Sequence, residues 1–312
     1  MKKTIVDIAL FGMCNQLFMY AYGRYVQIKR GDGELYLNYE KCTNADHGAT
    51  WDNCLSKFEL HYTKVLFSKK DLICYGKLEY FIKLIVSHIK MRRNISLEYG
   101  KSGVLLKKLG ILMNSNLDTH KKDQYYEKLP ITNTIWCMGY FQNPDIVKSI
   151  KKRLQSEIVL KAEFMPSDNH YYKLQSNIIN NNSVAIHIRR GDYVNHSIMA
   201  VCTDEYYLKA VEEMKKRLRE PCFFVFSDDI EYAKKLFSVC QGNEFTFVSG
   251  QYKDYEELML MTKCKHFIIS NSSFSYWGQF LSEYKDKTVI SPNRWIVDGG
   301  GNVMAEPDWI LM

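Results

Sequence analysis

The sequence predicts an α/β protein built on doubly wound parallel sheets with helices on both faces. Three observations carry that reading. Short apolar, β-branched runs alternate with segments of helical period, the order that places crossover helices between parallel strands. Several of these runs end abruptly in charged or hydroxyl residues, as strands do where their carboxyl ends border a ligand crevice. The chain has 312 residues, 46% of them apolar, enough for a full core and for two domains.

The elements follow in order. Residues 4–10 read as a buried strand, 11–14 as a turn and 15–29 as a helix, a strand–loop–helix unit. Residues 35–38 read as the next strand, 40–62 as a long loop and 69–128 as mostly helical, with Lys and Leu dominating. Residues 133–138 form a strand, and Asn143-Pro144 opens a helix with Pro where its missing donor costs least. The second half alternates regularly. Strands are expected at 183–188, 222–227, 245–248, 266–270 and 288–291, and helices at 203–219, 229–237, 255–264 and 272–282. The softest linker is 161–169, so the domains are drawn as 1–155 and 156–312.

Lys plus Arg number 42 against 35 Asp plus Glu, a net charge of +7 that suits an anionic ligand or an anionic membrane surface. No motif supports nucleic-acid binding. The nine cysteines are scattered, with no Cys-x-x-Cys, so neither a disulfide framework nor a zinc site is expected and a cytoplasmic setting fits. Asp7 interrupts the apolar start of the chain, which argues against a signal peptide, and no apolar stretch is long enough to span a membrane. Residues 78–93 form a basic amphipathic segment with Phe81, Ile82, Ile85 and Ile89 on one helical face. It reads either as a core-facing helix with a charged back or as a peripheral contact with anionic lipid.

The most informative stretch is His187-Ile-Arg189-Arg190-Gly191-Asp192-Tyr193, directly after the apolar run 183–186. Two guanidiniums at a strand end suit a phosphate or pyrophosphate, because Arg presents a rigid fork of donors. Side chains alternate along a strand, so Arg189 and His187 share a face while Arg190 points elsewhere and pins the loop. His187 is either a structural histidine or a nucleotide contact. Asn271-Ser272-Ser273-Phe274-Ser275 opens a helix after another strand, where N–H groups and hydroxyls form either an anion site or a plain cap. No Asp-x-Asp and no paired histidines suggest a metal site, so no cofactor and no metal are expected.

The Arg189 segment resembles the His-x-Arg-Arg-Gly-Asp-Tyr signature of the inverting α-1,2-fucosyltransferases that use GDP-fucose. Four further blocks resemble that family in the same order: Gly12 to Arg24 around Asn15-Gln16, Gly139 to Gln142, Phe226 to Asp229, and Ser270 to Gly278. Residues 134–295 follow the pattern almost throughout, 4–25 follow it well, and 40–130 match little. Cys14 stands where the family has Gly, and Tyr276 where Trp is common. The resemblance implies two facing Rossmann-like domains (a GT-B-like fold) with the nucleotide in the C-terminal one. It implies transfer of L-fucose to the 2-hydroxyl of a terminal galactose in a glycan; the alternatives are another GDP-sugar or fucosyl linkage on the same fold, or a non-catalytic sugar-nucleotide or glycan-binding protein. The expected setting is cell-surface polysaccharide assembly in the cytoplasm or at the inner face of the membrane. The resemblance places Arg189 on the diphosphate and assigns guanine to Asp228 or Asp229, whose other reading is helix capping. Asn15 and Gln16 are expected at the donor, together with Arg190 and the 271–275 cluster. Asp192, the acid inside the signature, is either the catalytic base or an anchor for the arginines.

Overall fold

A computed structural model describes residues 1–8, 12–40, 53–68, 70–71, 81–82, 85, 100–114, 128–191, 193, 198–240, 245–248, 252–297 and 300–312. The chain divides into two compact units, Met1–Val159 and Leu160–Met312.

The N-terminal unit holds a five-stranded parallel sheet. Its strands are β1 (Lys3–Asp7), β2 (Glu34–Asn38), β3 (Lys64–Leu66), β4 (Ile111–Asn114) and β5 (Thr134–Gly139), in the order β3-β2-β1-β5-β4. One face buries Ile5, Tyr36, Ile111, Met113 and Trp136 against Leu106 of helix α2 (Gly100–Lys108). On the other, α1 (Met13–Lys29) lies close to β1 and β2. A Cβ on Gly23 would stand 2.1 Å from Val6 and 3.2 Å from Leu35, so glycine is what permits this approach. The helix starts at Met13 rather than Asn15, which puts Cys14 inside its first turn. Ordinary helical backbone accepts any side chain there, so the Gly-to-Cys departure leaves the loop geometry intact. Strand β4 corrects the reading of its segment as helical, and β3 falls between the segments read as loop and as helix. A run such as Ile111–Asn114 is too short for period to separate the two structures.

The C-terminal unit has a six-stranded, all-parallel sheet. Its strands are β6 (Asn182–Ile188), β7 (Pro221–Ser227), β8 (Phe245–Phe247), β9 (His266–Ile268), β10 (Val289–Ser291) and β11 (Ile310–Leu311), in the order β11-β10-β9-β6-β7-β8. Numbered within the unit this is the doubly wound order 6-5-4-1-2-3. Its direction of winding reverses between β6 and β9, and such a reversal leaves a crevice at the carboxyl ends. Val184, Ile186, Phe223, Val225 and Ile268 face α6 (Asp204–Arg217) and α7 (Ile230–Phe237). The alternate residues Ala185, Phe224 and Phe267 are buried as well, and α5 (Asn169–Asn180) packs on β6. Burial on both faces is why these strands read as continuous apolar runs.

Within the N-terminal unit, α1 is tied to α4 (Lys151–Glu157) by a buried ion pair. Arg24 Nη2 lies 2.9 Å from Glu157 Oε1, Arg24 Nε donates to both carboxylate oxygens, and the Tyr20 hydroxyl donates to Oε2 at 2.5 Å. Removing Glu157 leaves the buried Arg24 with the exposed Asp32, 3.3 Å away, as a weaker carboxylate partner, at a cost of up to about 3–5 kcal/mol. Glu157→Ala is therefore expected to destabilise the unit by about that amount and Glu157→Gln by less, measured by urea unfolding. A loss below about 1 kcal/mol in Glu157→Ala would show that the pair is not what holds α4 to α1.

Candidate functional site

Three neighbouring strands of the C-terminal unit end in the residues that carry chemistry. Strand β6 runs out at Ile188 into Arg189 and Arg190, β7 at Ser227 into Asp228 and Asp229, and β9 leads into the turn before α9 (Ser273–Leu281). The crevice between β6 and β9 is the place where the sheet order reverses.

The two arginines are held by the two aspartates. Arg189 Nη1 lies 2.9 Å from Asp228 Oδ2, and the other oxygen of Asp228 accepts the Arg190 backbone N–H at 2.8 Å. Arg190 Nε lies 3.1 Å from Asp229 Oδ2. Asp229 Oδ1 accepts the Tyr232 N–H at 3.1 Å, so the same carboxylate also caps α7. Alternation along the strand appears in the further partners. The Arg189 guanidinium lies 5.6 Å from the Tyr193 ring centre, and the Tyr193 hydroxyl reaches the Asn271 carbonyl. The Arg190 guanidinium stacks 3.6 Å over Tyr232, whose hydroxyl donates to Asp204. Gly191 has a steric reason beyond its turn: a Cβ there would stand 2.7 Å from Asp228 Oδ2.

His187 is buried at the end of β6, where Nδ1 lies 3.0 Å from Ser270 Oγ and 2.9 Å from Ser275 Oγ. The two hydroxyls lie 3.0 Å apart, and Ser275 Oγ also donates to the Ser270 carbonyl at 3.2 Å. Phe274 stacks on the ring with centroids 5.0 Å apart. With the Ser275 proton used on that carbonyl, the Ser270 proton has two acceptors, Ser275 Oγ and Nδ1. If it goes to Nδ1, the imidazole carries its own proton on Nε2; if it goes to Ser275, Nδ1 carries it. Burial, and secondarily the Arg189 charge, pushes the His187 pKa down to about 3, so the ring is neutral in either arrangement.

The helix that opens at Ser273 is capped by Ser272, whose Oγ accepts the Phe274 N–H at 3.3 Å. Several of the expected site residues are engaged with other parts of the protein. Ser275 is fully buried against His187. Asn271 spends both amide hydrogens on the Met199 and Trp295 carbonyls and so fastens two loops. Gln16 is fully buried in the N-terminal unit, near the Tyr39 hydroxyl at 3.4 Å. Asn15 is partly exposed and accepts from Gln142 Nε2 at 2.8 Å, which joins two of the sequence blocks. Ser273 remains half-buried at the first position of α9, where helix N–H groups lack intrahelical acceptors. Asp192 lies outside the described residues, as does most of 78–93. The sequence reading gave no role to Ser270, Tyr232 or Tyr193. Tyr193 and Ser270 lie inside the sequence blocks, and Tyr232, three residues after the cap Asp229, is brought by that spacing to the first helical turn. Among the described residues no group of three or more His, Cys, Asp or Glu side chains is arranged to hold a metal ion.

The depressed pKa of His187 has a stability consequence. Its folded pKa of about 3 lies below the ordinary 6.5, so the unfolded chain takes up the proton first as pH falls. Stability contributed by the neutral ring is complete above about pH 6.5 and falls by about 1.4 kcal/mol per pH unit toward pH 3. Nitrogen-15 spectra of the folded protein should show a neutral His187 ring down to about pH 5. A ring that titrates near its ordinary value in the folded state would contradict the buried hydroxyl cluster.

The family described as Glycosyl transferase family 11 matches residues 82–306. The O-antigen biosynthesis glycosyltransferase WbnK of Escherichia coli is 28% identical over 318 residues, covering 96% of this chain and 97% of that protein. An alpha-1,2-colitosyltransferase of Escherichia coli is 35% identical over 187 residues, 56% of this chain and 61% of that one. The galactoside alpha-(1,2)-fucosyltransferase 1 of Homo sapiens is 30% identical over 104 residues, 32% of this chain and 28% of that one. Among solved structures, the NodZ alpha-1,6-fucosyltransferase co-crystallised with GDP superposes with a TM-score of 0.55 at 12% identity, over 90% of this chain and 92% of that one. That likeness gives the fold, a GT-B-type pair of parallel-sheet units. The matched family covers the whole strand-end cluster from His187 to Ser275, and the chain belongs to glycosyl transferase family 11.

Proposed function

We propose that the protein is a metal-independent, inverting α-1,2-fucosyltransferase that moves L-fucose from GDP-fucose to the 2-hydroxyl of a terminal galactose. The observation that carries this reading is the crevice between β6 and β9, where Arg189 and the N-terminus of α9 border one switch point. Two preorganised sources of positive potential there suit the charge that a departing nucleoside diphosphate develops. In the transfer, the acceptor oxygen bonds to C1 of fucose on the face opposite GDP. The C1–O bond to the β-phosphate breaks, its electron pair leaves with GDP, and the hydroxyl proton passes to a carboxylate. Asp192 is proposed as that carboxylate. Asp228 and Asp229 already neutralise arginines, which supports cationic side chains, rather than a carboxylate-bound metal, as the charge sink. If one of them reads guanine, it does so with the lone pairs its arginine leaves open. The name of the colitosyltransferase relative favours a second reading, the same linkage with a colitosyl donor.

One assay separates these readings: purified protein with GDP-fucose or a colitosyl donor, galactose-terminated acceptors, and excess chelator. A Fuc-α-1,2-Gal product formed in chelator is expected. Turnover only with the colitosyl donor moves the reading to the alternative, and loss on chelation restored by Mn²⁺ or Mg²⁺ overturns metal independence.

Calorimetric titration with GDP, paired with turnover, apportions the roles. Arg189→Ala should lower kcat by about 10²–10³ and Arg189→Lys should recover little, because a point charge does not reproduce the fork. Asp192→Asn should lower kcat while GDP affinity holds; a parallel loss of affinity makes Asp192 an anchor instead. Of Asp228→Asn and Asp229→Asn, only the guanine reader should weaken GDP binding strongly, and unchanged affinity in both ends the guanine assignment.

A further inference from the structure

Resting on the GDP reading of the strand-end site, we infer that Arg190 selects the base by donating to two acceptors on one edge of guanine, O6 and N7, and that Tyr232 is the residue that positions it.

Arg190 is held in a closed circuit of contacts. Its Nε lies 3.1 Å from Asp229 Oδ2, Asp229 Oδ1 accepts the Tyr232 backbone N–H at 3.1 Å, and the guanidinium carbon lies 3.6 Å over the centre of the Tyr232 ring. The Tyr232 hydroxyl in turn donates to Asp204, in the first turn of α6. Burial, and then the bond to Asp204 and that carboxylate's charge, push the Tyr232 pKa up to about 12, so the hydroxyl keeps its proton at neutral pH. The ring is therefore fastened at its backbone end and at its hydroxyl end. Its face fixes the tilt of the guanidinium, and the Asp229 bond fixes the rotation within that plane.

The circuit leaves one end of Arg190 open. Asp229 takes Nε, and among the described residues no hydrogen bond engages Nη1 or Nη2. These nitrogens end a side chain that is one-third exposed. The carboxylates beside it are occupied: each oxygen of Asp228 and Asp229 already accepts, from the Arg190 N–H, Arg189 Nη1, the Tyr232 N–H and Arg190 Nε. This strand end offers a ligand donors more readily than acceptors.

Position favours the base as the partner. Three neighbouring strands lie in the order β9, β6, β7. The helix α9 starts beyond β9, and Arg189 follows β6 near Tyr193, whose hydroxyl reaches the Asn271 carbonyl. A diphosphate on those groups leaves the end of β7 for the base, and Arg190 lies there over the first turn of α7. A guanidinium fork matches O6 and N7 of guanine, whereas adenine sets an amino donor beside N7 and opposes half of the fork. A phosphate contact is the competing role for Arg190.

Calorimetric titration of the full chain with GDP and with 7-deaza-GDP, which lacks the N7 acceptor, separates the two roles. The parent chain is expected to bind 7-deaza-GDP about tenfold more weakly, the effect of losing one bond to a charged donor. Arg190→Lys keeps the charge without the fork, so it should bind the two nucleotides alike, and the preference for GDP over ADP, about 10–100-fold from such a fork, should shrink with it. Tyr232→Leu removes the plane beneath Arg190 and should bring the GDP to 7-deaza-GDP ratio toward one, while Tyr232→Phe keeps the ring and should keep most of the ratio. Damage to the fold alone weakens both nucleotides and leaves their ratio unchanged. A parent chain that binds both equally overturns the inference without any variant. So does an Arg190→Lys chain that weakens both by the same factor, which makes Arg190 a phosphate contact. A parent chain that binds no GDP overturns the donor reading itself, and the inference with it.

Discussion

Two guanidiniums on consecutive residues repel one another, and the C-terminal unit is arranged around relieving that repulsion while keeping the charge available. Asp228 and Asp229 follow the neighbouring strand in register, since Ile188 pairs with Ser227 at the last rung of β6 and β7. Parallel pairing therefore delivers two carboxylates beside two arginines without any loop having to find its partner. Asp228 does two things at once, accepting a backbone N–H and a guanidinium, so the turn and the charged side chain are fixed by one group. The pairs are about one-third exposed, which leaves the guanidinium donors accessible to a ligand and keeps the pair itself of modest strength. A fully buried pair would hold Arg189 so firmly that binding a diphosphate would have to break it.

Behind these charges the unit places neutral polar groups. His187 sits two residues before Arg189 on the same strand, and an imidazolium there would add a third positive charge in a buried place. The hydroxyls of Ser270 and Ser275 avoid that outcome by satisfying Nδ1 with partners that both donate and accept. Because one hydroxyl proton can move between Nδ1 and its neighbour, the cluster tolerates either tautomer without stranding a buried polar atom. A change in what Nε2 meets can thus be absorbed by hydroxyl rotation alone, and no charge need enter the core.

The sequence makes legible those features whose cause is local. The central strands β5, β6 and β7 are buried on both faces, so they appear as unbroken apolar runs, and the residues that end them are necessarily at a crevice. The strand-end Arg and Asp residues stand out because charge terminates hydrophobicity. What is not legible depends on direction. Asn271, Ser275 and Gln16 have the residue types expected of ligand contacts, yet each turns inward once its helix or turn is packed. Edge strands such as β3 and β11 are too short to carry a period. The pairing of Asp228 with Arg189 is a register effect, and register between β6 and β7 is not written in either strand alone.

The contrast between the two units bears on how the chain divides its labour. In the N-terminal unit the strongest polar cluster, Arg24 with Glu157 and Tyr20, is shut away from solvent and serves to join helices. In the C-terminal unit the corresponding charges lie at strand ends, one-third exposed. The same residue types thus act as structural fasteners in one unit and as a poised site in the other, and burial decides which.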